Sequence, residues 1–133
     1  MAGYSATVRN DMLTQLSNAV DGGTGAGTLT LYDGTQPATG GTATNALVTI
    51  TLPDPAFNAP SNGTMSTASS VSGTVGTSGT ATWARMSDSA GTFVADFSVG
   101  GTGSGADIEL DNTSLVAGGT VTINSFTITE GNA

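Results

Sequence analysis

The sequence predicts a mainly β fold: an antiparallel β-sandwich of about seven short strands with one helix at its N-terminus. Three observations support this. Apolar and polar residues alternate in several short runs, Gly, Asn and Asp mark turns between the runs, and one early stretch repeats its apolar residues at helical spacing. The 133 residues suit a single domain. We divide it into a helix at 5–20, a glycine link at 22–27 and the sandwich at 28–130.

The helix is predicted between Ser5 and Val20. Ser5 or Thr7 can cap its start, and the glycines at 22 and 23 end it. Two placements are open: the helix lies on the sheet, or it is an arm that docks into a neighbouring subunit. The apolar stripe contains Val8, Met12, Leu13, Leu16, Ala19 and Val20.

Alternation predicts further strands along the chain, at 28–32, 47–52, 107–110 and 119–129. The Ser-, Thr- and Gly-rich stretch 64–78 predicts a weak edge strand or a mobile loop. In the last strand the apolar parity changes between Ile123 and Phe126, so we predict a one-residue bulge near Asn124 and Ser125. That bulge would put Val121, Ile123, Phe126 and Ile128 on the core face.

The stretch 79–99 predicts a hairpin that contains the only Trp of the chain. A four-residue turn at Asp88–Gly91 has Asp first and Gly last, as a type I turn prefers. We favour it because a five-residue turn would mix Arg85 with Phe93. Met86 then pairs with Phe93, and one face gathers Ala84, Met86, Phe93, Ala95 and Phe97.

The opposite face of the hairpin carries Trp83, Arg85, Val94 and Asp96, with Arg85 diagonal to Asp96. We predict that these four residues form an interface, because Trp and Arg are enriched at interaction hot spots. A Trp in a strand is also a common core residue, and that alternative stays open. Leaving Trp83 in water forfeits apolar burial, so we expect a cover from the helix or from another subunit.

Composition limits the chemistry available to the chain. His, Cys and Lys are absent, which removes the usual nucleophile–base pairs, disulfides and thiolate metal sites. We therefore predict no enzymatic activity, no cofactor and no metal. Asp107, Glu109 and Asp111 have the period of one strand face, which leaves a Ca²⁺ site open as an alternative to a solvated edge.

The formal net charge is −8. Such a charge repels phosphate backbones and anionic headgroups, so nucleic acid and membranes are not expected partners. The sequence shows no apolar run of signal-peptide or membrane-spanning length. We expect synthesis in the cytoplasm.

Segments spread over most of the chain, taken in order, resemble a group of small structural proteins of tailed bacteriophages. They are RNDMLTQL at 9–16, LTLYDGTQP at 29–37, LVTITLPDPAF at 47–57, GTATWARM at 79–86 with DSAGT at 88–92, and GTVTINSFTIT at 119–129. None of them is a diagnostic motif, and no functional residue is carried over.

The resemblance implies a virion component made in the host cytoplasm, first of all a capsid decoration (cement) protein on the outside of the head. Its partner would then be the major capsid protein, and a homo-oligomer such as a trimer is expected. A tail or head-fibre component is the alternative within virions. From the residues themselves, a carbohydrate-binding module with Trp83 and Tyr32 as sugar-stacking platforms is also open.

Overall fold

The computed structural model describes residues 3–23, 25–123 and 126–129. Within these ranges the chain forms one helix and eleven strands, so the predicted mainly β fold with an N-terminal helix is confirmed. The strands outnumber the expected seven because three predicted strands are each divided in two and a further short strand forms at Ser114–Leu115. The elements are α1 (Ala6–Val20), β1 (Thr28–Tyr32), β2 (Ala46–Thr51), β3 (Thr64–Ser66), β4 (Val71–Thr74), β5 (Gly79–Thr80), β6 (Trp83–Ser87), β7 (Phe93–Gly101), β8 (Ile108–Leu110), β9 (Ser114–Leu115), β10 (Thr120–Ile123) and β11 (Thr127–Thr129).

The largest sheet has five strands in the order β2-β1-β6-β7-β8. Its pairings are antiparallel except that of β7 with β8, which is parallel. Three two-stranded pairings complete the fold: β4 with β10, β3 with β11, and β5 with β9. Strand β4 contacts β2 and β10 contacts β8, so the β4–β10 pair meets both edges of the curled five-stranded sheet.

One hydrophobic core lies between these layers. Leu29 and Leu31 are fully buried, while the intervening Thr30 of β1 is half-buried, as alternation along a strand requires. The stretch 64–78, predicted as a weak edge strand or a mobile loop, contains short strands that each pair along one edge in the described residues. It forms β3 and β4, which both pair with the C-terminal strands. Its apolar residues Met65, Val71 and Val75 are all buried, and that burial offsets the weak strand preference of the Ser and Gly between them.

Helix α1 lies against the strands, making contacts with β3 and β7. Ser5 caps it, since the Ser5 hydroxyl accepts a hydrogen bond from the N–H of Val8 at 3.2 Å. The buried side of the helix is rotated from the predicted stripe. Leu13 and Val20 are buried and Leu16 is partly buried. Val8, Met12 and Ala19, which the sequence placed on the inner stripe, are exposed.

A polar contact accounts for this rotation. The side-chain oxygen of Asn10 accepts a hydrogen bond from the N–H of Gly63 at 2.8 Å. The Arg9 guanidinium lies so close to Gly63 that a Cβ there would be 2.4 Å from it. Because Arg9 and Asn10 are on the docking side, Val8 and Met12 are turned outward.

The C-terminal strand is divided into β10 and β11. Val121, Ile123 and Phe126 are buried, and Ile128 packs against the core, so the predicted grouping on the core face is observed. The bulge predicted near Asn124 and Ser125 lies outside the described residues.

Candidate functional site

The hairpin of β6 and β7 has a different register from the predicted one. The four-residue turn is present, with the N–H of Gly91 donating to the Asp88 carbonyl at 3.0 Å and Gly91 at a φ of 86°. The first strand pair is nevertheless Ser87 with Phe93. The predicted pairing of Met86 with Phe93 is therefore wrong.

The observed register differs from the predicted one by two successive one-residue shifts. The Asp88 side chain explains the first shift. Its Oδ1 accepts hydrogen bonds from the N–H groups of both Ala90 and Thr92, at 2.9 Å each, so the turn extends to Thr92. The second shift is a bulge at Val94, after which Met86 pairs with Ala95. Two one-residue shifts restore the parity beyond the bulge. The predicted core face is thus kept for Ala84, Met86, Ala95 and Phe97, whereas Phe93 moves to the face of Arg85.

Arg85 and Asp96 pair directly across the two strands, not diagonally. Arg85 Nε is 2.7 Å from Asp96 Oδ1, and Arg85 Nη2 is 3.1 Å from Asp96 Oδ2, so the ion pair is bidentate. Both partners also hold the loop between β1 and β2. Arg85 Nη2 donates to the Gly41 carbonyl at 2.8 Å, and the N–H of Gly40 donates to Asp96 Oδ2 at 3.1 Å.

This geometry shifts the pKa of both groups. Burial by itself raises the pKa of the Asp96 carboxyl, but the hydrogen bonds from Arg85 and Gly40 outweigh it and leave that pKa below its ordinary value of 3.8. The hydrogen bond to Asp96 raises the pKa of Arg85 above its ordinary value. Both groups are therefore charged at neutral pH, and their charges are compensated within the fold.

Trp83 is fully buried. Its ring stacks on Tyr32 of β1, with ring centroids 4.3 Å apart and an interplanar angle of 14°. Its Nε1 donates to the Asp33 carbonyl at 3.1 Å and to the Thr44 hydroxyl at 2.9 Å. Neither cover considered from the sequence, helix or subunit, is the one observed. The loop 33–45 of the same chain folds back over the hairpin and supplies it.

The Arg85 guanidinium extends the stack of Tyr32 and Trp83 towards the surface. Arg85 Cζ lies 5.2 Å from the centroid of the Trp83 ring and 5.1 Å from that of Phe93. Phe93 is exposed, whereas Val94 packs against the core. Of the four predicted interface residues, the structure thus brings together Trp83, Arg85 and Asp96, and Phe93 stands where Val94 was expected.

Several residues of this cluster were not predicted from the sequence. They lie in the loop 33–45, about fifty positions before the hairpin, and the Asp33-Gly34 turn indicated only where β1 ends. Nothing in their spacing indicated that the loop returns. The buried polar atoms of the cluster are hydrogen-bonded, since no buried side-chain nitrogen or oxygen in the described ranges lacks a hydrogen-bond partner. The cluster holds the loop 33–45 against the hairpin.

Two of the three acidic residues considered for calcium, Asp107 and Glu109, accept backbone hydrogen bonds. Asp107 Oδ2 accepts from the N–H of Ser98 at 3.0 Å. The Glu109 carboxylate accepts from the N–H groups of Gly103 and Gly105, at 3.2 and 3.1 Å. In the part of the chain that the structure describes, no three His, Cys, Asp or Glu residues come together as a metal-binding group. These carboxylates order the loop between β7 and β8.

Across residues 3–23, 25–123 and 126–129, none of the helical structure has both the length and the apolarity that crossing a bilayer requires. Comparison with known proteins gives no match: no family model, no curated protein and no solved structure corresponds to this chain.

Proposed function

We propose that this chain is a non-enzymatic structural protein of a tailed-bacteriophage virion, a decoration protein that binds the major capsid protein on the outer surface of the head. The observation that carries the proposal is an exposed apolar row that begins just before α1 and continues along its first two turns. Tyr4, Val8 and Met12 are spaced four residues apart and are each between 38 and 44% exposed. Val8 and Met12 lie about one turn apart on the same side of α1, and Tyr4 directly precedes the Ser5 cap. A contiguous exposed apolar surface is a candidate site of protein contact.

The row is presented on a fixed support. Leu13 and Val20 bury the other side of α1, and Asn10 joins it to the turn at Gly63. A helix held in this way loses little conformational freedom on binding, which favours affinity. The segments quoted above supply the virion context, and the internally paired Arg85 and Asp96 suit a structural role.

The alternatives differ in what they require of the molecule. A carbohydrate-binding module would need an exposed aromatic platform, and Trp83 lies buried under the loop 33–45. A tail or head-fibre component would use the same kind of apolar contact, so the location in the particle separates it from a decoration protein. We further expect a homo-oligomer, with a trimer as the first form to test by sedimentation velocity.

The deciding experiment is quantitative mass spectrometry of virions produced from the genome that encodes this chain, with heads and tails analysed separately. The decoration role requires the chain on heads in a constant ratio to the major capsid protein. Finding it only on tails would favour the tail component, and finding it on neither would overturn the proposal.

Mutagenesis then tests the row itself. The double variant Val8→Gln/Met12→Gln should reduce head occupancy about tenfold or more, because two apolar side chains lose their burial in the contact. Phe93→Gln is the matched control, since Phe93 is exposed to nearly the same degree as Met12 and lies outside α1, at the start of β7. Equal occupancy for both variants would exclude α1 as the contact.

A further inference from the structure

Strand β10 uses only one of its two edges for pairing in the described part of the chain. It pairs with β4, with Val121 opposite Gly73. At the start of this pairing the N–H of Val75 donates to the Gly119 carbonyl and the N–H of Gly118 to the Val75 carbonyl, at 2.8 Å each. Gly118, at a φ of 89°, belongs to the preceding turn. The Gly119 carbonyl adjoins the ladder and sets which residues of β10 face β4.

Hydrogen-bonded and non-hydrogen-bonded pairs alternate along an antiparallel ladder. Counting from Gly119, the backbone groups of Val121 and Ile123 point towards β4. Those of Thr120 and Thr122 point to the opposite edge. Two N–H groups and two carbonyls of β10 are therefore directed away from its partner strand.

The opposite edge opens onto a groove of about 350 Å³. The groove runs between β10 and the end of β8, where Leu110, Asp111 and Asn112 form the facing wall. Strands β8 and β10 touch, but no ladder joins them within the described ranges. The volume is in the range of about 300–1,000 Å³ that ligand pockets occupy. The four residues of β10 give it an edge about 13 Å long.

The sides of the groove differ in chemistry. Leu115 and Val121 supply apolar surface, and Val116 is an exposed apolar residue beside them. Asp111 is the carboxylate in the lining. The whole chain carries −8, so at this groove a cationic segment would be attracted more strongly than an acidic one.

We propose that the groove between β8 and β10 binds an extended, cationic segment of another protein, which pairs with β10 as an added strand. The backbone of Thr120 and Thr122 forms the ladder with this segment. Its alternate side chains point to two faces, so an apolar set packs on Leu115 and Val116 while a Lys or Arg lies near Asp111. This proposal does not depend on the virion assignment.

The test uses three blocked synthetic peptides of six residues with the full chain. One alternates valine and lysine, the second has glutamate in place of lysine, and the third is the lysine peptide N-methylated at alternate positions so that it cannot pair. We expect only the first to bind, with amide chemical-shift changes centred on Thr120 and Thr122 and slowed hydrogen exchange of their N–H groups. Equal binding of the N-methylated peptide, or no binding at millimolar concentration, would overturn the proposal.

Two variants identify the groove. Thr122→Pro removes an N–H that faces away from β4, so it should abolish peptide binding. Asp111→Lys should weaken binding of the lysine peptide about tenfold or more and permit binding of the glutamate peptide. Asp11→Lys, the same charge change on exposed Asp11 of α1, is the control and should leave the preference for lysine unchanged. An unaltered preference in Asp111→Lys contradicts the proposal even if Thr122→Pro fails to fold. Self-association of the unmodified chain that Thr122→Pro abolishes would show that a second copy occupies the groove, contrary to the proposal.

Discussion

Arg85 and Asp96 face each other directly across β6 and β7, with Arg85 Nε 2.7 Å from Asp96 Oδ1. Each also bonds to the loop 33–45, through the Gly41 carbonyl and the N–H of Gly40. The pair therefore joins both strands of the hairpin to the loop that covers Trp83. The Asp96 side chain is only 2% exposed, so either partner left alone would be a charge without compensation.

Removing the cation should be strongly destabilising. Arg85→Met leaves the Asp96 carboxylate buried and unpaired, and we expect the free energy of unfolding to fall by about 3 kcal/mol or more. Chemical denaturation measures it. The double variant Arg85→Met/Asp96→Leu should recover most of the loss, because neither charge then remains. A single variant as stable as the original chain would show that the pair contributes little.

Acid should weaken the fold through Asp96. Because the pKa of Asp96 in the folded chain lies below its ordinary value, its contribution is complete above about pH 4, near the pKa of an unfolded Asp. It is lost as the pH falls through the lower folded-state pKa. Denaturation between neutral pH and strong acid should therefore show a decline that is smaller in Asp96→Asn. The exposed Asp11→Asn variant is the comparison, and identical pH profiles for all three chains would contradict the assignment.

Substitution of Trp83 should destabilise the isolated chain. Trp83→Ala removes a fully buried ring stacked on Tyr32, for an expected loss of about 3–5 kcal/mol. Trp83→Phe keeps a ring but removes the donor to Asp33 and Thr44, for an expected loss of about 1–3 kcal/mol. Exposed Phe93→Ala should cost less than Trp83→Ala. Should Trp83→Ala leave the free energy of unfolding unchanged while weakening association, Trp83 would belong to an interface after all.

At Gly27 in the glycine link, backbone atoms leave no room for a side chain. A Cβ on Gly27 would lie 2.6 Å from the Val20 carbonyl oxygen and 2.7 Å from that of Ser87, so both obstacles are backbone. We expect Gly27→Ala to cost about 1–3 kcal/mol or more in the free energy of unfolding. Gly25→Ala is the matched control, because its Cβ would meet nothing within 4 Å, and its effect should stay within about 0.5 kcal/mol. Similar melting curves for the two variants would mean that the end of α1 is not held against the hairpin.

Local patterns in the sequence determined the fold class and several of the faces. Strict alternation in 28–32 predicted β1 with its observed bounds, and the cap at Ser5 predicted the start of α1 to within a residue. The core face of Ala84, Met86, Ala95 and Phe97 was predicted correctly although the register was not. A shift by two residues keeps each side chain on its own face. The faces of the two strands were therefore predicted correctly, although the residues paired across them were not.

Only the tertiary structure decided what lies over the other face of the hairpin. Trp83 and Arg85 were identified as a pair in need of cover, but the groups that provide it, from Asp33 to Thr44, belong to a loop with no periodic pattern. The inner side of α1 was decided in the same way, by one hydrogen bond from Gly63 to Asn10. Periodicity records which side chains of one element point together. It carries no information about which distant segment closes over them, because that depends on backbone donors and acceptors that every residue type shares.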